Sequence, residues 1–345
     1  MRKLIYLSAL ILTFTLFSCE TDVDVNGEWE DITIVYGLLN PKDSVQSIRV
    51  QRAYLGDGDV LQMAAISDSI YYNDSLNVVL QKWVGNQQVG ADIPLTPVYV
   101  NKEDGDFATE GHYVYQTSST NPVELDVDTD GVEYKLVINN IDKDKEIKSS
   151  TGIVKDFVIT GPFSPMINFN STSKLEITWD TPENGKVYLP VIRFNYHEDG
   201  EPKYIDWFLN SKTSSTTNGG AELNVKTERS NFYSFLAENI EPSETKVRLV
   251  DSLALDFYVY AGAEEYHLYQ QINGPSNSVV QEKPEFTNIE NGIGIFSSRN
   301  YAKMSRAINP ATLDEIVFGD ITCGLHFGKI EVLGTNEIDT VFCNN

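Results

Sequence analysis

Residues 126–131, DVDTDG, have the spacing of a calcium-binding loop. Three aspartates alternate along the chain and a glycine follows, as in the first half of the D-x-D-x-D-G loop. A complete loop needs a bidentate acid at its twelfth position, and that position is Val137. The segment also continues into the strand-like run EYKLVI, where a loop of this kind is flanked by helices. We therefore interpret it as an acidic β-turn and predict no metal site.

Catalytic motifs are not recognisable in the sequence. It has no G-x-S-x-G elbow, no H-E-x-x-H zinc motif, no phosphate-binding glycine loop and no dinucleotide fingerprint. We predict a protein that is not an enzyme and has no cofactor. The alternative is a surface hydrolase, since 50 acidic residues offer many carboxylate pairs of the kind that glycosidases use. The histidines are far apart, each within a strand-like or helix-like pattern: His112, His197, His267 and His326.

Cys19 ends an apolar run that begins after two basic residues. Residues 1–18 have the charge and length of a secretory signal peptide, and the run is shorter than the roughly 20 residues of a membrane-spanning helix. Ser18 is the small residue expected before a cleavage site, and the segment from Leu16 to Cys19 resembles the lipobox of bacterial lipoproteins. We predict that Cys19 is lipidated. The alternative is an ordinary signal peptide with an incidental cysteine.

The acidic balance of the chain limits its partners. Loss of residues 1–18 removes Arg2 and Lys3 and no acid, so the net charge of −24 becomes −26. Such a surface repels nucleic-acid phosphates and anionic headgroups, so we predict no nucleic-acid partner and membrane attachment through the lipid alone. Residues 19–30 form an acidic tether, which resembles the export signal of surface lipoproteins. We expect the protein on the outer membrane, facing the cell exterior; a periplasm-facing anchor is the alternative.

Two further cysteines, Cys323 and Cys343, remain near the end of the chain. An even pair in an oxidising compartment favours a disulfide. A bridge over a loop of this length would stabilise the protein by about 3 kcal/mol. Two separate buried thiols are the alternative.

Short alternating segments predict a mainly β protein. Turn-rich stretches separate strand-like runs, among them ITIVYGLL, SLNVVLQKWV, HYVYQTS and EYKLVINN. The spacing over residues 31–156 predicts an immunoglobulin-like β-sandwich. A proline-containing break then starts a second β-rich domain, residues 157–345, whose first strands resemble those of fibronectin-type sandwiches. One or two short helices are expected there, in RSNFYSFLAENI and AEEYHLYQQING.

The segment around NIENGIGIF carries a family resemblance. A strand, a tyrosine-containing helix and then the spaced residues of this segment resemble the C-terminal part of a Bacteroidota lipoprotein family, the domain of unknown function numbered four-two-four-nine. The matching residues are Pro284, Asn288, Ile289, Asn291, Gly292, Gly294 and Phe296. The resemblance implies association with a TonB-dependent outer-membrane transporter and assigns no catalytic residue. From the residues alone, the segment is a turn that fixes the last sheet, or a loop whose backbone contacts a ligand.

Five sites resemble the Asp-Ser/Thr-aliphatic O-glycosylation motif of Bacteroidota: Ser44, Ser69, Ser75, Ser252 and Thr340. The motif is short, so chance matches are expected, and we predict that at least one site is modified. Taken together, the sequence predicts a surface lipoprotein that serves a TonB-dependent uptake system as an accessory or binding subunit. A third alternative is an adhesin or glycan-binding module with an exposed aromatic platform, for which Tyr71, Tyr72 and Trp207 are candidates.

Overall fold

The computed structural model describes residues 32–53, 71–72, 76–101, 111–274, 286–332 and 338–343. Within these residues the protein is mainly β, which confirms the predicted fold class. The first part of the chain contains the strands β1 (Thr33–Leu39), β2 (Ser47–Arg52), β3 (Leu76–Val84), β4 (Gln87–Gln88), β5 (Ile93–Val100), β6 (His112–Gln116), β7 (Val132–Asn140) and β8 (Lys145–Gly152).

The second part adds more strands and the helices of the described residues. Its strands are β9 (Ile159–Gly161), β10 (Met166–Ile167), β11 (Leu175–Asp180), β12 (Val187–Glu198), β13 (Glu201–Phe208), β14 (Lys212–Thr213), β15 (Glu222–Thr227), β16 (Arg248–Gly262), β17 (Gly292–Ile308), β18 (Phe327–Val332) and β19 (Ile338–Phe342). Its helices are α1 (Asn231–Asn239), α2 (Glu264–Asn273), α3 (Pro310–Phe318) and a short 3₁₀ turn, Cys323–Leu325.

The first core is enclosed in a sandwich-like arrangement of β1 to β8. The strands pair in the order β1-β2-β6-β5-β3-β7-β8, and all of these pairs are antiparallel. Alternate residues point inward. Val35 of β1 and Ile48 of β2 therefore share a core with Val78 of β3 and Leu136 of β7. Each such side chain contributes about 1.5–3 kcal/mol by leaving water.

The second core lies between the β13-β12-β16-β17 part of the large sheet and the small sheet β15-β11-β9. Trp179 of β11 is fully buried and shares this core with Phe194 of β12 and Phe257 of β16. Phe232 of α1 stacks on Phe169 with ring centroids 4.0 Å apart, which fixes the helix against the core. Burial of its inward side therefore holds the β13-β12-β16-β17 part of the sheet against the small sheet.

Strand β17 connects the two cores. Its first half, from Gly292 to Ser298, pairs in parallel with β1, and its second half, from Arg299 to Arg306, pairs antiparallel with β16. The sheet order β16-β17-β1 places these partners on opposite sides of β17. The change of partner falls between Ser298 and Arg299, near the middle of the strand.

The two cores divide the chain close to the start of the second predicted domain. Ile153 belongs to the first core and Val154 to the second. The chain then returns, because Ile289 and Phe296 lie in the first core. The first core is therefore completed by residues from far along the sequence.

The described residues hold three α-helices, and the prediction of one or two was too low. The two predicted helices correspond to α1 and α2. The additional helix, α3, begins after Asn309, whose side-chain oxygen accepts a hydrogen bond from the backbone N–H of Ala311 at 2.9 Å. Pro310 occupies the first turn, where its missing N–H costs nothing.

Candidate functional site

The outward side of the β13-β12-β16-β17 sheet is rich in tyrosine. Side chains alternate along each strand, so residues that skip one position share a face. We call the set Tyr204, Tyr258, Tyr260 and Tyr301 the tyrosine face. Tyr258 and Tyr260 have nearly parallel rings 5.7 Å apart, and Tyr301 lies 5.8 Å from Tyr260 on the neighbouring strand. Tyr204 and Tyr260 are 58% and 38% exposed, so these rings reach solvent.

Arg193 holds one end of the tyrosine face in place. Its guanidinium makes two hydrogen bonds to Asp206, at 2.7 and 2.8 Å, and lies 3.9 Å from the ring centre of Tyr204 and 5.1 Å from that of Tyr258. The paired carboxylate raises the pKa of Arg193 above its usual value. A planar guanidinium that is both paired and stacked fixes the rings around it.

Asp256 links the strands that carry the tyrosine face. Its carboxylate accepts hydrogen bonds from Ser305 at 2.5 Å and from Asn195 at 3.0 Å, and it pairs with Lys303 at 3.0 Å. Burial alone would raise the pKa of Asp256, but the hydrogen bonds from Ser305, Lys303 and Asn195 outweigh burial and lower it. The buried charge is therefore satisfied, and it binds β12, β16 and β17 together.

A cleft opens beside the tyrosine face, at the point where β17 changes its partner strand. We call it the tyrosine cleft; its volume is about 620 Å³, within the roughly 300–1,000 Å³ range of small-molecule sites. It is lined by Leu38, Asn40, Val187, Leu189, Ser211, Tyr260, Ala261, Gly262, Tyr266, Gln270, Arg299, Asn300 and Tyr301. None of these residues is acidic, although the chain has 50 acidic residues and a net charge of −24. The cleft is therefore a locally uncharged to positive site on an acidic protein.

Arg299 supplies the cationic group of the cleft. Its side chain is 56% exposed, and its ion pair is a long one, 3.8 Å from the carboxylate of Asp43. The neighbouring asparagine, Asn300, instead donates hydrogen bonds to the carbonyls of Val154 and Lys155 and to Asp156. Arg299 thus remains accessible to a ligand, while Asn300 fixes the backbone beside it.

Helix α2 forms the outer wall of the cleft. Gly262 precedes it, and a Cβ there would lie 2.5 Å from the ring of Tyr266, so only glycine lets this ring pack against the strand. Gln270 donates a hydrogen bond to the hydroxyl of Tyr266 at 2.8 Å, one helical turn away. On its other side, Tyr269 meets Tyr36 of β1 edge to face, and burial raises the pKa of Tyr269 to about 12.

Glu265 fixes the base of α2 at the junction of the two cores. Its carboxylate accepts hydrogen bonds from Ser297 of β17 at 3.1 Å and from Thr151 of β8 at 3.4 Å. Burial raises the pKa of Glu265, against the opposing effect of these hydroxyl donors. The wall of the cleft is thereby tied to β8 and to the first half of β17.

The calcium-like segment forms a turn held by its own first aspartate. The carboxylate of Asp126 accepts the backbone N–H groups of Asp128 and Thr129 at 3.0 and 2.9 Å, and it pairs with Lys82 at 2.5 Å. Both carboxylate oxygens are therefore engaged, and the hydrogen bond from Lys82 lowers the pKa of Asp126. Among the described residues, no group of three or more His, Cys, Asp or Glu side chains is placed to hold a metal ion.

The histidines occupy separate places in the fold. His112 stacks on Tyr71. His197 of β12 lies 2.7 Å from Asp251, and burial lowers the pKa of His267. His326 stacks on Phe342 with ring centroids 4.4 Å apart. None of the four lines the tyrosine cleft.

The structure pairs Cys323 with Cys343 in a disulfide, with Cα atoms 5.5 Å apart. This pairing is the one that the cysteine count favours. Among the O-glycosylation candidates, Ser44 and Ser252 are exposed and Thr340 is half-buried in β19. Cys19, Ser69 and Ser75 lie outside the described residues.

The NIENGIGIF segment is a structural joint. Asn288 donates to the carbonyl of Phe296 at 2.6 Å and accepts from its N–H at 3.0 Å, so one side chain acts as a strand partner. Ser149 of β8 donates to the carbonyl of Asn288 at 2.7 Å. Gly294 has φ +113°, and a Cβ there would lie 2.1 Å from the carbonyl oxygen of Val35. The glycine is thus required for the close approach of β1 and β17.

The aromatic platform lies elsewhere than the sequence suggested. Tyr71 and Tyr72 are 5% and 2% exposed, and Trp207 is half-buried in a stack with Phe235, 5.5 Å between centroids. The prediction that these residues form an exposed platform is wrong, because Tyr71 is buried and the rings of Tyr72 and Trp207 pack against the cores. A usable signal for the tyrosine face was the alternation of Tyr258 with Tyr260 in one strand; nothing in the sequence shows that Tyr301 and Tyr204 join them.

Comparisons with known proteins add little about identity. No family model matches the chain, and the search of curated proteins finds no match. Among solved structures, a DUF4785 family protein from Legionella pneumophila aligns with 12% identity and a TM-score of 0.20, over 66% of this chain and 51% of that one. The chain thus spans about half the length of that protein. The resemblance of NIENGIGIF to a Bacteroidota lipoprotein family stays a prediction.

In the described part of the chain, none of the helices α1 to α3 has the length and apolar character that a membrane span needs.

Proposed function

We propose that this protein is a non-catalytic binding subunit, anchored by a lipid on Cys19 to the outer membrane and working on the cell surface with a TonB-dependent transporter. The observation that carries the binding role is the tyrosine cleft. It combines exposed aromatic rings with amide, hydroxyl and guanidinium groups, and no carboxylate lines it. Convergent polar groups on an apolar wall are typical of a ligand site.

The rigidity of the site supports binding. Arg193 and Asp256 fix the tyrosine face through ion pairs and hydrogen bonds, and Glu265 ties α2 to β8 and β17. A preorganised site loses less side-chain entropy when a ligand binds, so more of the contact energy appears as affinity. The location is supported separately, by the lipobox-like segment ending at Cys19 and by the acidic residues after it. Association with a transporter is supported by the family resemblance.

The proposed transporter partner is tested by solubilising cell envelopes in mild detergent and purifying the protein through a tag on its C-terminus. A large β-barrel protein should co-purify with the wild-type chain. The matched control is Cys19→Ala, which should leave the chain uncleaved or release it from the membrane, and so lose the barrel. Recovery as a lone lipoprotein across several mild detergents, together with measurable hydrolase activity, would favour the enzyme alternative instead.

A further inference from the structure

The tyrosine cleft has a chemistry that selects a class of ligand. Tyr260 and Tyr301 form a cross-strand pair, and Tyr266 faces them from α2. Aromatic rings carry negative charge on their faces, which attracts polarised C–H groups. The C–H face of a sugar ring is flat, apolar and polarised in this way, and its rim of hydroxyls is polar. The tyrosine rings of the cleft match the C–H face of a sugar, and the polar groups beside the rings match its hydroxyls.

The polar groups of the cleft are suited to hydroxyls. Gln270 uses one N–H on the hydroxyl of Tyr266, and this contact leaves the Gln270 carbonyl oxygen as an acceptor and the Tyr266 proton as a donor. Ser211 adds a hydroxyl that both donates and accepts. Neighbouring hydroxyls of a sugar need such mixed partners, because each is a donor and an acceptor.

The β16 backbone at the cleft is closed to an extended peptide. Residues Tyr260 to Gly262 of β16 pair with β12 on one side and with β17 on the other, so this strand lies inside the sheet. A peptide that binds by adding a strand needs an unpaired edge. Recognition over β16 therefore comes from side chains, which favours a ligand that stacks on rings over one that extends a sheet.

The charge of the cleft selects a carboxylate. Arg299 is more than half exposed and its ion pair with Asp43 is long. A guanidinium binds a carboxylate through two parallel hydrogen bonds, and the 3.8 Å contact with Asp43 is too long to be one of them. We propose that the tyrosine cleft binds an acidic oligosaccharide, with a sugar ring on Tyr260 and Tyr301 and its carboxylate on Arg299. This inference rests on the binding function proposed above and names its ligand class.

Calorimetric titration with trigalacturonate tests the inference, and its methyl ester is the matched neutral ligand. The acid should bind the full mature chain about 10-fold or more tightly than the ester, as expected for one charged hydrogen-bonding pair. In Arg299→Gln the two ligands should bind alike. In Tyr301→Leu both should weaken together. Lys174→Gln, at an exposed cation that does not line the cleft, should keep the preference.

Several results would overturn the inference. Equal affinity for acid and ester in the wild type, or a preference that survives Arg299→Gln, removes the role of Arg299. Absence of binding by both saccharides at millimolar concentration removes the ligand class. Binding of an acidic or proline-rich peptide in their place would do the same, yet would leave the proposed binding function standing. Failure of the proposed function is seen separately, in the loss of co-purification.

Discussion

The two halves of β17 differ in their neighbouring strands and in their exposure. The first half, Gly292 to Ser298, lies against β1 and is buried among glycine, serine and apolar side chains. The second half presents Arg299, Tyr301 and Lys303 on the outside of the sheet. The first is the part that carries a recognisable motif, and that motif serves packing. The surface suited to binding has no local motif, because four strands and a helix supply its side chains.

The largest effect is expected at Gly294, in the packed half. In Gly294→Ala the new Cβ would meet the carbonyl oxygen of Val35, and φ +113° disfavours any side chain. We expect a loss of about 4 kcal/mol in the free energy of unfolding, from steric overlap plus backbone strain. Urea denaturation followed by circular dichroism measures it.

Gly90→Ala is the matched control for this variant. Gly90 also has a positive φ, +83°, but a Cβ there has no atom within 4 Å. Gly90→Ala should lower the free energy of unfolding by only about 1–2 kcal/mol, because its sole cost is the positive φ imposed on alanine. Similar losses in the two variants would show that the contact between β1 and β17 is not tight.

A smaller loss is expected at Asn288. Asn288→Ala removes both bonds to Phe296 and leaves its N–H and carbonyl without that partner. A buried group left unsatisfied costs about 1–3 kcal/mol, so we expect a decrease of about 3 kcal/mol. The control Asn239→Ala, at an exposed amide of α1, should change stability by less than about 0.5 kcal/mol. If Asn288→Ala lowers the free energy of unfolding no more than Asn239→Ala does, the hydrogen bonds of Asn288 do not hold this segment in place.

Asp256 of β16 contacts Ser305 and Lys303 in the exposed half of β17, and its replacement should have a pH-dependent effect of intermediate size on stability. Its folded-state pKa is lowered, so its contribution to stability is present above the unfolded value near 3.9 and is lost as pH falls through the folded value. Asp256→Asn should cost about 1.5 kcal/mol at pH 7, and the difference from wild type should shrink below about pH 4.

Unfolding curves at several pH values measure this difference. Glu176→Gln, in the exposed pair with Lys226, is the control and should change stability by less than about 0.5 kcal/mol at every pH. A difference for Asp256→Asn that persists unchanged at pH 2.5 would mean that the carboxylate charge is not what stabilises the face.

Sequence patterns predicted the elements better than their assembly. Alternation located β3 and β7, and helical spacing located α1 and α2, because these signals are local. Helix α3 was missed although Asn309 and Pro310 form a typical helix start. The pairing of β1 with β17 joins residues more than 250 positions apart, and no local pattern encodes it.

The same reason explains what was missed at the site. The joint around Asn288 was visible as a turn motif, but its partner on β8, Ser149, is distant in sequence. The tyrosine cleft depends on Tyr260, Tyr266 and Tyr301 meeting after folding. The exposed platform assigned to Tyr71 and Tyr72 was wrong, since burial depends on which side of a strand faces a core.

The central claim is that the second half of β17 binds ligand while the first half holds the fold. It is tested most directly by measuring unfolding free energy and trigalacturonate affinity together in Tyr301→Leu and Asn288→Ala. Tyr301→Leu should weaken binding about 10-fold or more and change stability by less than about 1 kcal/mol. Asn288→Ala should lose about 3 kcal/mol of stability, and its folded fraction should bind as wild type does. Unchanged affinity in Tyr301→Leu, or lost affinity in folded Asn288→Ala, would contradict the account.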